Sequence, residues 1–183
     1  PWCQYYIDSQ IVLDGNTYRF TGIYGEPCVE KRKKTWEVLR YLRTQDDLPW
    51  ICVGDYNEAM VQKEQIGGNP RCIRQMDEFR DCVADCGLAD MGFSGYPFTW
   101  DNKREGTENI QVRLDRAMCS APFMQMFPAS EVQHILTEES DHQALLVRVA
   151  STLVDQTAKA PRHFMYEAAW AKHADYEAMV TSA

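Results

Sequence analysis

Hydrophobic and polar residues alternate in short runs along most of this chain, and turn dipeptides separate the runs. Tyr5 to Val12 reads as a strand, and Asp14-Gly15 reads as a hairpin turn because both residues tolerate positive φ. Tyr18 to Tyr24 returns as a second strand rich in aromatic and β-branched residues, and Gly25-Glu26-Pro27 breaks it. A helical period follows from about Val29 to Thr44, with Trp36, Leu39, Leu42 and Arg43 at i, i+3, i+6 and i+7. Leu48-Pro49 stops it. Trp50-Ile51-Cys52-Val53 is a continuous apolar run, which suits a strand covered on both faces.

Gly67 to Arg71 reads as loop. A second helix is predicted from Ile73 to Cys86, with Gly87 as the residue after its C-cap. Phe98-Thr99-Trp100, Val112-Arg113-Leu114, Glu131 to Leu136 and Ala144 to Val149 read as further strands. Ser120 is placed to cap a short helix ending before Pro128. Strands separated by helices, followed by strands in succession, predict a mixed α/β sandwich. The pattern changes after Ala150. Residues 1–150 are expected to form the folded domain, with 151–183 a polar linker and an amphipathic helix from Phe164 to Val180.

Composition adds limits. Apolar residues make up 45% and charged residues 25%, which excludes a disordered or collagen-like chain. No run approaches the ~20 apolar residues that span a bilayer, so no membrane partner is expected. Pro1-Trp2-Cys3-Gln4 has neither the charged nor the apolar region of a secretory signal. The seven cysteines include no Cys-x-x-Cys, which points to reduced thiols and an intracellular protein, nuclear or cytoplasmic. The net charge of −8 argues against tight non-specific binding to a nucleic-acid backbone, but a metal-dependent nuclease needs clustered carboxylates. Lys31-Arg32-Lys33-Lys34 reads first as a solvated helix start and second as a DNA-backbone contact.

Four motifs carry residue types capable of chemistry. Gly54-Asp55-Tyr56-Asn57 follows a buried strand directly, where α/β sheets place ligands. Asp55 supplies a carboxylate and Asn57 an amide, unless the tetrapeptide is only an Asx turn. Ser140-Asp141-His142 puts an imidazole at a strand entrance, either for acid–base work or as a solvated loop histidine. In Arg113-Leu114-Asp115-Arg116, alternation predicts Arg113 and Asp115 on one face and Leu114 and Arg116 on the other. Asp115 is then placed to orient His142. Tyr24 sits at a strand end before a turn, where its phenol either meets a phosphate or packs at the core edge.

The order of these motifs resembles the endonuclease/exonuclease/phosphatase superfamily: Tyr-x-x-Pro, Gly-Asp-x-Asn, Phe-Thr-Trp, Arg-Leu-Asp, then Ser-Asp-His, from about Tyr18 to Val149. More narrowly, Phe20 to Pro27, Trp50 to Asn57, Met76 to Asp81, and Gly92 to Gly95 with Phe98-Thr99-Trp100 resemble the endonuclease domain of plant LINE-type (non-LTR) retrotransposon polyproteins. His163 to Glu167, with Trp170 and His173, is similar to the connector that leads to a reverse transcriptase there.

The resemblance implies a four-layer α/β sandwich and Mg²⁺-dependent cleavage of a phosphodiester in DNA, with Mn²⁺ as a substitute ion and a reverse transcriptase in cis in the parent polyprotein. It implies that Asp55 activates or positions water and that Asn57 holds water and phosphate. His142 would contact the phosphate, oriented by Asp115. Asp141 would support the metal, and Tyr24 would hydrogen-bond the phosphate. It gives Thr99 and Trp100 a structural part.

The family pattern begins with an Asn strand and a metal-binding Glu strand, and neither has a counterpart here. The expectation is therefore a domain missing its first strands, N-terminally truncated and inactive alone, with Asp8 as the only early acid near a strand. A non-catalytic remnant and a phosphatase acting on small phosphorylated molecules are the competing readings, followed by a generic interaction domain.

Overall fold

The computed structural model describes residues 2–3, 5–13 and 15–151. The predicted linker and helix at 151–183 thus lie, but for Ser151, outside the described residues. In chain order the elements are β1 (Trp2–Cys3), β2 (Tyr6–Leu13), β3 (Asn16–Tyr24), α1 (Lys33–Arg43), β4 (Trp50–Asp55), β5 (Gln65–Ile66), α2 (Ile73–Asp85), β6 (Leu88–Asp90), β7 (Trp100–Asp101), β8 (Gln111–Val112), β9 (Asp115–Ser120), α3 (Ala121–Met126), β10 (Glu131–Ile135) and β11 (Ala144–Arg148).

Six strands form the large sheet in the order β1-β2-β3-β4-β9-β6. Only β3 and β4 run parallel, which is why an α-helix lies between them in sequence. Alternation splits the sheet into two faces. Ile23, Trp50, Cys52 and Met118 pack against Trp36, Leu39 and Leu42 of α1 and Phe79, Cys82 and Val83 of α2. Tyr18, Ile51 and Cys119 face the other way, onto Phe123, Phe127 and Val147. A second layer lies on that face, made of the β10-β11 hairpin and the β5-β8-β7 ribbon. The two pieces are tied by a bridge between Trp100 and His142 and by bonds from Asp101 N to Asp141 O and Gln143 N to Thr99 O.

The outer side of the hairpin stays exposed at Glu131, Ile135, Ala144, Leu146 and Arg148, so the described residues hold three of the four layers expected. Ile7 and Val12 of β2 are also exposed, at 62% and 70%.

Most expected elements are present. The first helix begins as a short 3₁₀ turn at Val29–Lys31 before α1 proper. The expected strand at Val112–Leu114 is instead broken. The chain leaves β8 in the second layer at Val112 and enters β9 in the large sheet at Asp115, and the crossing is held by Arg113 N to Glu64 O and Tyr56 N to Leu114 O. Strict alternation fails across that step. Arg113 therefore joins Arg116, not Asp115: both guanidiniums bind Glu64 and Asp90. The basic run is likewise not one solvated face. Lys31, Lys33 and Lys34 are exposed, but Arg32 is buried against Glu58.

Candidate active site

Strand register assembles the site. Tyr24 of β3 lies beside Asp55 of β4, and Asp55 lies directly across from Asp115 of β9. The three form one row at the end of the sheet, on the face turned to the second layer. His142, from the loop entering β11, completes the group: its Nδ1 is 2.9 Å from Asp115 Oδ2. Ligand-capable atoms of Asp55, Asp115 and His142 all lie within 4.8 Å of one another. Asp141 stands outside this group, exposed, with its Oδ2 accepting a 2.9 Å bond from Trp100 Nε1.

Asp55 is 9% exposed. Burial, and then the charge of Asp115, push its carboxyl up to about 6. Asn57 N donates to its Oδ1 at 2.7 Å and Asn57 Nδ2 to its Oδ2 at 2.9 Å, so the Asx turn is formed and the pair is locked together. His142 shifts upward because of its hydrogen bond to Asp115, which outweighs burial. The Asp115 carboxylate makes Nδ1 the protonated nitrogen and leaves Nε2 for a ligand. Thr99 has a definite task here. Its Oγ1 accepts from Leu114 N and Asp115 N, both at 2.9 Å, and so fixes the start of β9.

Tyr24 is 54% exposed at the rim. Asp8 is not near the row in register: it lies opposite Thr21, and its carboxylate accepts bonds from Arg19 and Thr21. Burial pushes Asp8 up, but those bonds outweigh it and hold the carboxyl below its usual range. It is therefore not a free ligand for the site.

Two glycines allow the turn to close. Gly54 has φ +147, and a Cβ there would lie 2.0 Å from Ile23 O. A Cβ on Gly25 would lie 2.5 Å from Tyr56 O. Asn57 Nδ2 donates to Gly25 O at 2.8 Å, so the same close approach places the amide. Gly25→Ala is expected to cost about 1–3 kcal/mol, as forced overpacking does. It should also break the Asn57–Gly25 bond. Urea unfolding and the side-chain amide resonance of Asn57 would check this, and an unshifted resonance would contradict it.

No family model and no curated protein matches the chain. Solved structures do share its fold. The endonuclease domain of TRAS1, a telomere-specific non-LTR retrotransposon, is 17% identical with a TM-score of 0.57, over 79% of this chain and 63% of that one. The 3'-5' exonuclease NExo from Neisseria meningitidis is 16% identical with a TM-score of 0.58, over 80% and 65%. The AP endonuclease LMAP from Leishmania major is 14% identical with a TM-score of 0.58, over 77% and 53%.

The chain has the endonuclease/exonuclease/phosphatase fold. It spans between 53% and 65% of the length of those three structures. The α/β sandwich expected from the sequence is thus the architecture observed. Among the described residues no helix is long and apolar enough to cross a membrane.

Proposed function

We propose that this endonuclease/exonuclease/phosphatase-type domain is a divalent-metal-dependent phosphodiesterase that cleaves DNA, derived from a non-LTR retrotransposon polyprotein of the plant LINE type. The observation that carries the reading is the meeting of Asp55, Asp115 and His142 within 4.8 Å between two sheets. The two carboxylates suit a hard cation completed by water, with the imidazole beside it. Mg²⁺, or Mn²⁺ in its place, held by Asp55 and Asp115 would polarise a phosphoryl oxygen and steady the leaving oxygen.

The chain's own groups then divide the remaining work. Asp55, beside that ion, would position the attacking water. Both Nδ2 bonds of Asn57 go to Gly25 O and Asp55 Oδ2, so Asn57 aims Asp55 and offers Oδ1 to the water. His142, held by Asp115 and shifted upward by it, would offer Nε2–H to phosphoryl charge in its imidazolium form. Tyr24 offers its hydroxyl from the rim. Asp141, beside His142, is assigned to the metal's water shell. The retrotransposon reading rests on the ordered sequence motifs and on the fold shared with the TRAS1 domain. It implies a reverse transcriptase in cis in the parent polyprotein.

A non-catalytic remnant is the second reading, favoured by Asp8, the acid on β2, being committed to Arg19 and Thr21. Plasmid nicking by the full chain decides between them. Nicking that requires Mg²⁺, is absent from Asp55→Ala,His142→Ala, and declines as acidification protonates Asp55 would carry the nuclease reading and overturn the expectation that the chain is inactive alone. Rates equal to that double variant across pH 5–8 would leave the remnant. Release of phosphate from small phosphomonoesters without nicking would favour a phosphatase.

A further inference from the structure

Glu58 follows Asn57 directly and is fully buried, a costly place for a carboxylate without partners. It has two cationic partners. Arg32 Nη1 lies 2.5 Å from Oε2, and Arg71 Nη1 lies 2.6 Å from Oε1. Neither arginine stops there. Arg32 also donates through Nε to Glu26 O and through Nη2 to Pro27 O. Arg71 also donates through Nε to Gln65 Oε1. One buried carboxylate thus draws together the turn after Tyr24, the residue after Asn57 and the loop after β5.

These tethers meet on both sides of one bond. Asn57 holds a left-handed backbone, φ +55, which costs a non-glycine residue of order 1 kcal/mol and needs support from its surroundings. Its Nδ2 donates to Gly25 O. Arg32 fixes Glu26 and Pro27, next to that acceptor, while Glu58 fixes the chain next to the donor. None of the three ionic side chains belongs to the Asp55, Asp115 and His142 group.

We propose that Arg32, Glu58 and Arg71 form a positioning clasp that sets Asn57, and through it Asp55, in the geometry that cleavage requires. The cleavage half rests on the nuclease reading; the geometric half does not. A buried ion cluster that served stability alone would be replaceable by apolar side chains of similar volume, which is often neutral or stabilising. A clasp that sets direction would not be.

The test uses the full chain and two readouts. The first is hydrogen exchange of the Asn57 side-chain amide, assigned by its absence in Asn57→Ser. The second is the steady-state kinetics of plasmid nicking. Arg32→Met,Glu58→Leu replaces the pair with apolar groups, and Arg71→Gln removes only the outer, partly exposed arm. Expected are a roughly tenfold or greater gain in Asn57 amide exchange in both variants, with unfolding midpoints of the apolar pair near wild type. Nicking should fall roughly 10- to 100-fold in kcat with KM within about twofold, as small misplacements of a working group do.

Glu58→Asp should recover part of both effects relative to Glu58→Gln. Asn57 exchange unchanged in Arg71→Gln and in the apolar pair would overturn the clasp. A wild-type chain that protects the amide, loses that protection in both variants and cleaves nothing would uphold the clasp and overturn the nuclease reading.

Discussion

Asp55→Asn should abolish divalent-metal-dependent cleavage and at the same time stabilise the protein above pH 7. Asp55 has its folded-state pKa raised from 3.8 to about 6, first by burial and then by Asp115 across the strand pair. A raised pKa means that the stabilising contribution is complete below the unfolded value and lost as pH rises through about 6. Above that, the folded state carries an ionised carboxylate that water would solvate better. About 2 pKa units corresponds to about 3 kcal/mol at 1.4 kcal/mol per unit.

The substitution removes this cost but disturbs the bonds from Asn57 N and Asn57 Nδ2, because an amide has only one acceptor oxygen. A net gain of about 1–2 kcal/mol at pH 8, shrinking toward zero by pH 4–5, is expected in urea unfolding. Added Mg²⁺ should raise the wild-type midpoint and leave the variant unmoved, since a ligand stabilises only the state it binds. A variant less stable than wild type at pH 8 would show that the Asn57 bonds outweigh the buried charge.

Arg116→Ala is expected to be severely destabilising. The Arg116 side chain is wholly buried on the helix-facing side of β9. Its Nη1 donates to Glu64 Oε1 at 2.9 Å and to Asp90 Oδ2 at 2.8 Å, and its Nη2 donates to Glu64 Oε2. Arg113 reaches the same two acids from the point where the chain crosses between layers. Two cations and two anions balance. Removing Arg116 leaves two carboxylates sharing one guanidinium, with burial pressing on both.

Breaking such a cluster costs roughly 3–5 kcal/mol, a large share of the ~5–15 kcal/mol that holds a domain. The melting midpoint should fall by about 10 °C or more, and the loss should be smaller near pH 4, where Glu64 and Asp90 can take up protons. A drop of only a few degrees at pH 7 would show that Arg113 alone satisfies both acids.

Local pattern carried the site residues because each stands where an element ends. The apolar run Trp50 to Val53 marks a buried strand, so the polar Asp55 and Asn57 that follow must lie at its exit. The period of Trp36, Leu39 and Leu42 likewise predicted the face that α1 buries. These features depend on neighbours within a few residues, and side-chain period alone decides them.

Register and layer crossing do not have that property. Asp55 and Asp115 are 60 positions apart, and only the pairing of β4 with β9 makes them face each other and adds the Asp115 charge to the burial that raises the Asp55 pKa. The switch from β8 to β9 at Arg113–Leu114 depends on which sheet each segment joins, so alternation through Arg113-Leu114-Asp115-Arg116 misassigned Arg113. Arg32 looked like one of four solvated cations, because nothing near it in sequence announces Glu58, 26 residues away, as its buried partner. Burial of a charge is settled by where the counter-charge folds to, and that is a property of the packed molecule, not of any window of its sequence.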